Sequence, residues 1–364
     1  MRPAKLLFWA SSALIVHTHV GYPALLWLLA RGRTDREPEA PEATPRVTVV
    51  VAAYDEEDVI ARKVENLLAL DYPREQLELI VASDGSGDAT VERAKAAGAD
   101  LVLDLPRGGK VRAQDQAVER SSGEIVVFSD ANAQLEPESV RLLVARFAAE
   151  PRLGYVCGRV RFTTEDGDNQ EGLYWRYEMA IRELESRVGD VTAGNGALYA
   201  TRRESYIVVD PRMGHDLSFP FNLVKRGWRA KYAPRAGATE KTTPSNESEF
   251  RRKRRMMSHT WTILLEGGIL NPRGYSPLYA FQIVSHRLLR YVTPFLHVIA
   301  LAASWRARYR VALALQAAFA GAAAIGRPRV ARYYALVTAS PAVGLVDYFF
   351  KGTDPGWEKA EGTR

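Results

Sequence analysis

Four runs of apolar, largely β-branched residues alternate with helical stretches between residues 47 and 130, and this alternation constrains the fold more than any other feature. The apolar runs are residues 47–54, 77–83, 101–105 and 124–130, and the helical stretches are 58–70, 88–97 and 110–120. Continuous apolar runs are typical of strands buried on both faces of a parallel sheet. The serial order therefore predicts an α/β fold with a mostly parallel, doubly wound, Rossmann-like sheet.

Polar residues follow each of these four strands, where ligands of doubly wound sheets bind. Tyr54 and Glu56 follow the first strand, Asp84 ends the second, Lys110 follows the third and Asp130 ends the fourth. Carboxylates can hold a divalent cation or accept hydrogen bonds from a nucleoside, and a lysine can neutralise phosphate. The set predicts a nucleotide diphosphate and a hard metal ion at one edge of the sheet.

Several other classes of protein are disfavoured by what the chain lacks. The sequence has no GxGxxG after the first strand and no GxxxxGK[ST], which disfavours dinucleotide cofactors and P-loop chemistry. The acidic residues after the first strand disfavour a nucleotidyltransferase, which would carry a glycine-rich basic loop there. The one cysteine, Cys157, excludes an intramolecular disulfide framework and is expected in the core. A net charge of +6 over 364 residues gives no reason to expect a nucleic-acid partner.

The first 46 residues predict a membrane anchor followed by a linker. Residues 6–30 contain no Lys, Arg, Asp or Glu, and about 20 such residues suffice to cross a bilayer as a helix. The alternative is a signal peptide, but the run is longer than the usual ~7–15 residues and no small-x-small cleavage site follows it. Residues 31–46 are rich in Pro, Glu and Arg, and their arginines favour the cytoplasmic side.

The C-terminal third is again apolar. Residues 292–304, 309–326 and 333–350 are largely apolar, and residues 276–290 suit a helix at the membrane surface. The alternative is a soluble helical bundle, and the sequence does not decide between three and four crossings in total. The predicted organisation is an N-terminal transmembrane helix (1–30), a polar linker (31–46), a catalytic domain (47–270), an interfacial region (271–291), C-terminal transmembrane helices (292–350) and a tail (351–364).

Residues 47–261 resemble the family-two inverting glycosyltransferases, which have the GT-A nucleotide-sugar fold and include cellulose- and hyaluronan-synthase-like enzymes. The resemblance is carried by VAAYDEE (51–57), SDGSGDAT (83–90), GGKVRAQDQAV (108–118) and SDAN (129–132). It implies that the nucleotide-sugar is bound by Ala53, Tyr54, Glu56, Asp84, Lys110, Asp130 and Ala131. SDAN stands in the place of the Asp-x-Asp metal motif, which implies Mg²⁺ or Mn²⁺ on Asp130 and Asn132, with one carboxylate replaced by an amide.

Two later segments resemble the acceptor side of the family. TAGNGALYATRRE (192–204) resembles the acceptor loop, so Gly194, Asn195 and Gly196 are expected to line the acceptor end, although a plain β-turn would have the same residues. MGHDLSFPFNLVKRGWRAKYAP (213–234) resembles the helix that carries the catalytic base. Its Asp216 matches the base and could otherwise be only a helix N-cap, while His215 stands where the family commonly has an acidic residue.

Residues 251–255 are all basic. Processive members of the family have Gln-x-x-Arg-Trp here, and this chain has neither the Gln nor the Trp in place. The resemblance implies that Arg254 or Arg255 contacts the diphosphate, and a solvated or lipid-facing helix surface is the alternative. The departure from the motif argues against processive polymer synthesis.

The expected function is inverting transfer of a hexose or N-acetylhexosamine from a nucleotide-diphosphate sugar, preferably a UDP-sugar. The expected acceptor is lipid-linked or a polysaccharide, at the cytoplasmic face of a multi-pass membrane protein in contact with membrane lipid. A processive polysaccharide synthase and a catalytically silent nucleotide-sugar-binding subunit are the alternatives. The residues give neither the sugar, the linkage nor the oligomeric state.

Overall fold

A computed structural model describes residues 2–33, 35, 38, 44–163, 171–241 and 246–356. Within these residues a single sheet has eight strands: β1 (Val47–Ala53), β2 (Leu77–Asp84), β3 (Leu101–Leu105), β4 (Ile125–Asp130), β5 (Gln134–Leu135), β6 (Leu153–Thr163), β7 (Tyr199–Arg202) and β8 (Arg229–Lys241). The order across the sheet is β3-β2-β1-β4-β7-β6-β8-β5.

Helices cover the sheet and extend from both ends of the chain. They are α1 (Arg2–Val16), α2 (Tyr22–Ala30), α3 (Ile60–Leu68), α4 (Thr90–Ala96), α5 (Lys110–Arg120), α6 (Ser139–Ala149), α7 (Glu171–Val188), α8 (His215–Lys225), α9 (Asn246–Leu265), α10 (Pro277–Gln282), α11 (Leu289–Ala307), α12 (Arg310–Ile325) and α13 (Arg329–Lys351). A π-helical turn joins α1 to α2, and another joins α10 to α11.

The parallel half of the sheet forms because its strands can be buried on both faces. All seven residues of β1 are buried, and alternate residues pack into two core clusters on opposite faces. Val51 and Ala53 face one cluster, whereas Val50 and Ala52 face the other. Cys157 is buried in the second cluster, as expected.

The predicted α/β class is confirmed, and the sheet is mixed. β1, β2, β3 and β4 pair in parallel, but β7 pairs antiparallel with both β4 and β6. The sequence pattern predicted the parallel part because its strands are joined by helices. The antiparallel strands do not continue the alternation of strand and helix, so the sequence pattern gave no sign of how they pair.

The terminal helices differ in one respect from the sequence expectation. The segment predicted as a surface helix continues without a break into the next apolar run, so Pro277–Ala307 is one helix of 31 residues. Among the described residues, this helix and Arg2–Ala30 are long and apolar enough to cross a membrane. The pair α12 and α13, bent by 99°, would add a third candidate if it forms one broken span.

Candidate active site

A cavity of about 780 Å³ lies beyond the carboxyl ends of β1 and β4. It extends from the sheet edge to the helices at both ends of the chain. Its lining includes most of the sequence-predicted site residues, namely Glu56, Lys110, Asp130, Ala131, Asn132, Gly194, Asn195, Gly196, His215, Asp216 and Arg255. The structure therefore brings the predicted donor and acceptor sides into one cavity.

The donor end of the cavity is built on the ends of two elements. Asp130 ends β4 beside Ala52 of β1, and Lys110 begins α5 directly after Gly109, whose φ of 97° suits glycine. The Lys110 ammonium forms an ion pair with the Asp130 carboxylate. A Cβ on Gly196 would lie 3.0 Å from Asp130 Oδ2 and 3.3 Å from Lys110 Nζ, so a small residue is needed there. Charges of both signs thus lie together at this end of the cavity.

The residues present fit the divalent metal that the resemblance implies. Asp130 and Asn132, which can supply a carboxylate and an amide oxygen, both line the cavity. Within the described ranges no cluster of three or more His, Cys, Asp or Glu residues forms a separate cage. Mg²⁺ is commonly held in this way, by one or two protein carboxylates together with substrate phosphates.

A buried lysine supports the metal loop from behind. Lys63 of α3 has no exposed surface, and its Nζ donates to Ser129 Oγ at 2.7 Å and to the Ala133 carbonyl at 2.5 Å. Ser129 Oγ in turn donates to the Ala197 carbonyl at 2.7 Å. These bonds join both ends of the loop around Asp130 to the acceptor loop. Sequence patterning gave no signal for Lys63, which lies inside an ordinary amphipathic helix.

We expect Lys63→Met to flatten the pH dependence of thermal stability on the alkaline side. Burial lowers the pKa of Lys63 to about 7 from its ordinary 10.5, and Asp130 opposes this only in part. Between these values the unfolded chain binds more protons than the folded one, so this group makes stability rise with pH. The Tm of Lys63→Met should therefore rise less than that of the wild type from about pH 7 to about pH 10. Lys95→Met, at an exposed position of α4, should follow the wild-type curve.

Asp216 lies in the first turn of α8, and the N-cap of that helix is Gly214. Asp216 is therefore not the N-cap itself. Its backbone carbonyl accepts a hydrogen bond from Gly194 N–H at 2.6 Å, which fixes the acceptor loop to the start of the helix. Burial raises the pKa of the Asp216 carboxyl, and Lys110 only partly offsets this. A carboxylate with a raised pKa in a cavity is suited to accept a proton.

His215 is held rigidly beside Asp216. It is 3% exposed, its Nδ1 lies 2.8 Å from the Tyr199 hydroxyl, and its ring stacks on Phe219 with centroids 3.9 Å apart. Burial, helped by Lys110, lowers the pKa of His215 to about 3, so its ring is neutral at physiological pH. His215 therefore adds no positive charge next to Asp216.

Four predicted nucleotide contacts do not line the large cavity: Asp84, Tyr54, Ala53 and Arg254. The Asp84 carboxylate accepts hydrogen bonds from Gly108 N–H at 2.7 Å and Gly109 N–H at 2.9 Å, and it pairs with Arg107 at 2.8 Å. Arg107 also lies over the Tyr54 ring, 3.3 Å from its centroid. Ala53 is fully buried in a core cluster, and its neighbour Ala52 lines the cavity instead. Asp84 thus organises the loop before Lys110, and its contact with a base stays a prediction.

The structure separates Arg254 from Arg255. The Arg254 guanidinium binds both carboxylate oxygens of Asp347 on α13, the Nη2–Oδ1 distance being 2.6 Å. This pair joins α9 to α13, and Arg254 does not line the cavity, so its contact with the diphosphate stays a prediction. Arg255 lines the cavity and remains the candidate.

Sequence reasoning missed the walls that helices and the tail contribute. The missed lining residues include Glu178, Arg182, Arg287, Arg290, Tyr333, Val337 and Pro355. Pro355 follows α13 and packs on the loop before Lys110, since a Cβ on Gly109 would lie 2.3 Å from the Pro355 carbonyl oxygen. Thr353 Oγ1 lies 2.8 Å from Thr262 Oγ1 of α9, which fixes the same tail. These contacts join segments far apart in the chain, and no local pattern signals them.

Comparison with known proteins decides the family of the central domain. Residues 48–207 match the family described as Glycosyl transferase family 2. This segment is a glycosyl transferase family 2 domain. The predicted family is confirmed for the domain that holds the donor and acceptor loops.

Curated relatives match about half of the chain. Poly-β-1,6-N-acetyl-D-glucosamine synthase of Staphylococcus aureus is 27% identical over 201 residues, which cover 52% of this chain and 48% of the relative. β-Monoglucosyldiacylglycerol synthase of Trichormus variabilis is 31% identical over 188 residues, which cover 50% of this chain and 39% of the relative. The chain thus spans half or less of the length of these curated relatives.

One solved structure supports the fold over nearly the whole chain. A mannosyltransferase of Pyrobaculum calidifontis, in complex with GDP-Man and Mn²⁺, superposes with a TM-score of 0.72 at 24% identity. The match covers 95% of this chain and 99% of that one. The family 2 domain and its flanking helices therefore have a GT-A-type architecture.

Proposed function

We propose that the chain is an inverting glycosyltransferase that moves a sugar from a nucleotide-diphosphate sugar to an acceptor hydroxyl. The observation that carries this proposal is that Asp130 and Lys110 share one cavity with Asp216. The first two residues suit a metal–diphosphate complex. Asp216, with its raised pKa, suits the proton that the acceptor must lose.

On the donor side, the residues of this chain neutralise the leaving group. Lys110 and Arg255 bring positive charge to the cavity, and Asp130 and Asn132 would hold Mg²⁺ or Mn²⁺. The metal, when bound, balances the charge of the departing diphosphate. No protein acid is then required to protonate that group, in contrast with glycoside hydrolysis, which uses a pair of carboxylates.

On the acceptor side, Asp216 accepts the proton of the hydroxyl as its oxygen attacks the anomeric carbon. The new C–O bond forms on the face opposite the departing diphosphate, so the anomeric centre is inverted. Gly194, Asn195 and Gly196 line the cavity beside Asp216, and Asn195 holds their loop in place. Asn195 Nδ2 donates to the Gly158 carbonyl at 2.7 Å, and Asn195 Oδ1 accepts from Leu198 N–H at 2.9 Å.

We infer a membrane-bound enzyme with its catalytic domain on the cytoplasmic side and a UDP-linked hexose or N-acetylhexosamine as the preferred donor. Two candidate membrane helices and the arginines of residues 31–46 support the location. The relatives bear the names of an N-acetylglucosamine polymer synthase and a glucolipid synthase, which is consistent with a polysaccharide or lipid-linked acceptor.

A processive synthase is the second candidate, favoured by the name of the staphylococcal relative. Two observations argue against a processive synthase: α9 lacks the Gln-x-x-Arg-Trp pattern, and Arg254 is paired with Asp347. The described residues offer two candidate spans, or three if the bent pair counts as one, from which to build a polymer channel.

The test is turnover by the purified full chain in detergent. A panel of radiolabelled nucleotide-sugars is incubated with Mg²⁺ or Mn²⁺ and a membrane lipid extract, and the products are separated by size. Single-sugar products support the proposal, and a ladder of long chains supports the synthase. Nucleotide binding without transfer or donor hydrolysis, over a broad acceptor panel, would identify a silent subunit and overturn both.

We expect Asp130→Ala to weaken metal-dependent donor binding by about 10–100-fold, because the substitution removes the one carboxylate of the SDAN motif. Isothermal titration of nucleotide with and without Mn²⁺ measures the effect. Asp104→Ala, at an exposed position of β3, is the matched control and should bind like the wild type. If Asp130→Ala keeps both its affinity and its metal dependence, SDAN is not the metal site.

A further inference from the structure

The half of the cavity away from the sheet is walled by helix faces. On α13 the lining residues recur every three or four positions, which places them on one face, and they are Val330, Tyr333, Tyr334, Val337, Thr338 and Pro341. Because this stripe is largely aromatic and aliphatic, α13 gives the cavity an apolar wall. We call this half of the cavity the helical chamber.

The opposite walls of the helical chamber are cationic. Arg182, Arg287 and Arg290 line it from α7 and from the helix that includes α11, and α9 adds a cluster of basic residues. Among the described residues of these walls, Glu178 is the acidic counterpart, and it pairs with Arg290. The helical chamber therefore combines an apolar wall with arginine side chains on the walls opposite.

Two of these arginines have unused donors. Arg182 is 4% exposed and donates from Nη2 to the Gly194 carbonyl at 2.7 Å, but its buried Nε–H has no partner among the described residues. The Nε–H of Arg290 is likewise buried, and no described residue accepts from it. A buried guanidinium N–H without an acceptor is costly, and an anionic oxygen would satisfy it.

We propose that the helical chamber binds the acceptor, and that this acceptor is an anionic membrane lipid whose headgroup carries a phosphate and a free hydroxyl. The phosphate meets Arg182 and Arg290, and the acyl chains lie along the α13 stripe. The hydroxyl reaches Asp216, where its oxygen bonds to the anomeric carbon of the donor. The donor's sugar–phosphate bond breaks, the nucleoside diphosphate leaves with the electron pair, and the proton passes to Asp216. This inference rests on the proposed function.

The experiment compares two substitutions on α13. Val337→Trp fills the helical chamber, whereas Val346→Trp adds the same bulk at a position that is 54% exposed and outside the cavity lining. The probe is short-chain phosphatidylglycerol, titrated into the full-length protein in neutral detergent. We expect Val337→Trp to weaken its binding by about tenfold or more, as overpacking typically does, and Val346→Trp to leave it unchanged. Nucleotide binding by each variant shows that the variant is folded. If Val337→Trp does not bind nucleotide, Val337→Phe is used in its place.

The headgroup is tested with matched lipids. Diacylglycerol has a hydroxyl but no phosphate, and phosphatidylcholine has a phosphate but no hydroxyl. We expect phosphatidylglycerol to bind more tightly than diacylglycerol and, unlike phosphatidylcholine, to accept radiolabelled sugar. Three results would each overturn the inference. They are equal binding of phosphatidylglycerol and diacylglycerol, an unchanged affinity of Val337→Trp for phosphatidylglycerol, and sugar transfer to soluble oligosaccharides alone. Failure of the wild type to bind or hydrolyse any nucleotide-sugar would instead overturn the proposed function, whatever the lipid titrations show.

Discussion

Asp216→Asn is expected to reduce sugar transfer by about 10²–10⁴-fold, the usual contribution of a general base, while nucleotide binding is retained. The amide keeps the size and the position of the carboxylate at the start of α8. It cannot accept the proton that the acceptor hydroxyl must lose. Steady-state assays of the purified enzyme measure the loss of sugar transfer, and nucleotide titration of the same sample measures the retained binding.

The raised pKa of Asp216 adds a pH test and a stability test. Transfer by the wild type should fall as the pH is lowered through this raised pKa, because the base becomes protonated. Since the ordinary value is 3.8 and the folded value is higher, the ionised carboxylate destabilises the fold above its folded pKa. Asp216→Asn should therefore have a Tm at neutral pH at least as high as that of the wild type.

Asp71→Asn is the control for this substitution, because Asp71 is exposed and forms a surface ion pair with Arg141. It should keep full transfer. Normal turnover by Asp216→Asn would remove Asp216 from the role of base. Loss of nucleotide binding together with transfer would show that Asp216 acts on the donor side instead.

Glu185→Gln is expected to destabilise the protein by about 3–5 kcal/mol, because it removes one member of a buried charge network. Glu185 has no exposed surface and accepts hydrogen bonds from Tyr22 Oη at 2.6 Å and from Thr192 N–H at 2.9 Å. It also pairs with His286 at 2.8 Å, and Arg287 donates to Thr192 Oγ1 at 2.8 Å. One carboxylate thus joins the N-terminal helix, the C-terminal helices and the strand-side loop that begins at Thr192.

The pH dependence of the Glu185 effect has a definite sign. Burial alone would raise the pKa of Glu185, but His286 and Arg287 outweigh it and hold the pKa at about 2, below the ordinary 4.5. The ionised Glu185 therefore stabilises the fold at pH values above its pKa in the unfolded chain, and this stabilisation is lost as the pH falls through its pKa in the folded protein. The Tm difference between wild type and Glu185→Gln should be on the order of 10 °C at neutral pH, and it should narrow below about pH 4.5.

Glu183→Gln, two positions earlier on α7 and exposed, is the matched control and should unfold like the wild type. We also expect Glu185→Gln to slow transfer, because Thr192 leads into the loop of Gly194 and Gly196. A Tm equal to that of the wild type would show that the network does not stabilise the junction between the membrane helices and the domain.

The sequence predicted the donor half of the protein closely, for a physical reason. β3 and α5 lie at the residues expected for them, and β1 and β2 differ from expectation by one residue at one end. These elements are specified locally, by β-branched runs and by a glycine before Lys110. Because parallel strands place their carboxyl ends at one edge, Asp84, Lys110 and Asp130 could be assigned to that edge before their contacts were known.

The far side of the site could not be predicted in the same way. The pairing of Arg254 depends on Asp347, 93 positions later in the sequence, and on how α13 crosses α9. Lys63 is buried and donates a hydrogen bond to Ser129, although its helix has the amphipathic pattern of a helix on the protein surface. In each case a contact between distant segments decides the role, and hydrophobic periodicity carries no information about such contacts.

The sheet switches from parallel to antiparallel pairing between β4 and β7, and the cavity is lined from both sides of this boundary. Under the proposed function, Lys110 and Asp130 before the boundary face the activated sugar, and Asp216 after it faces the acceptor hydroxyl. Because Arg182 of the proposed acceptor side comes before residue 190 and Arg255 of the proposed donor side comes after it, a chimaera of two homologous chains joined near residue 190 would change both sides of the cavity at once.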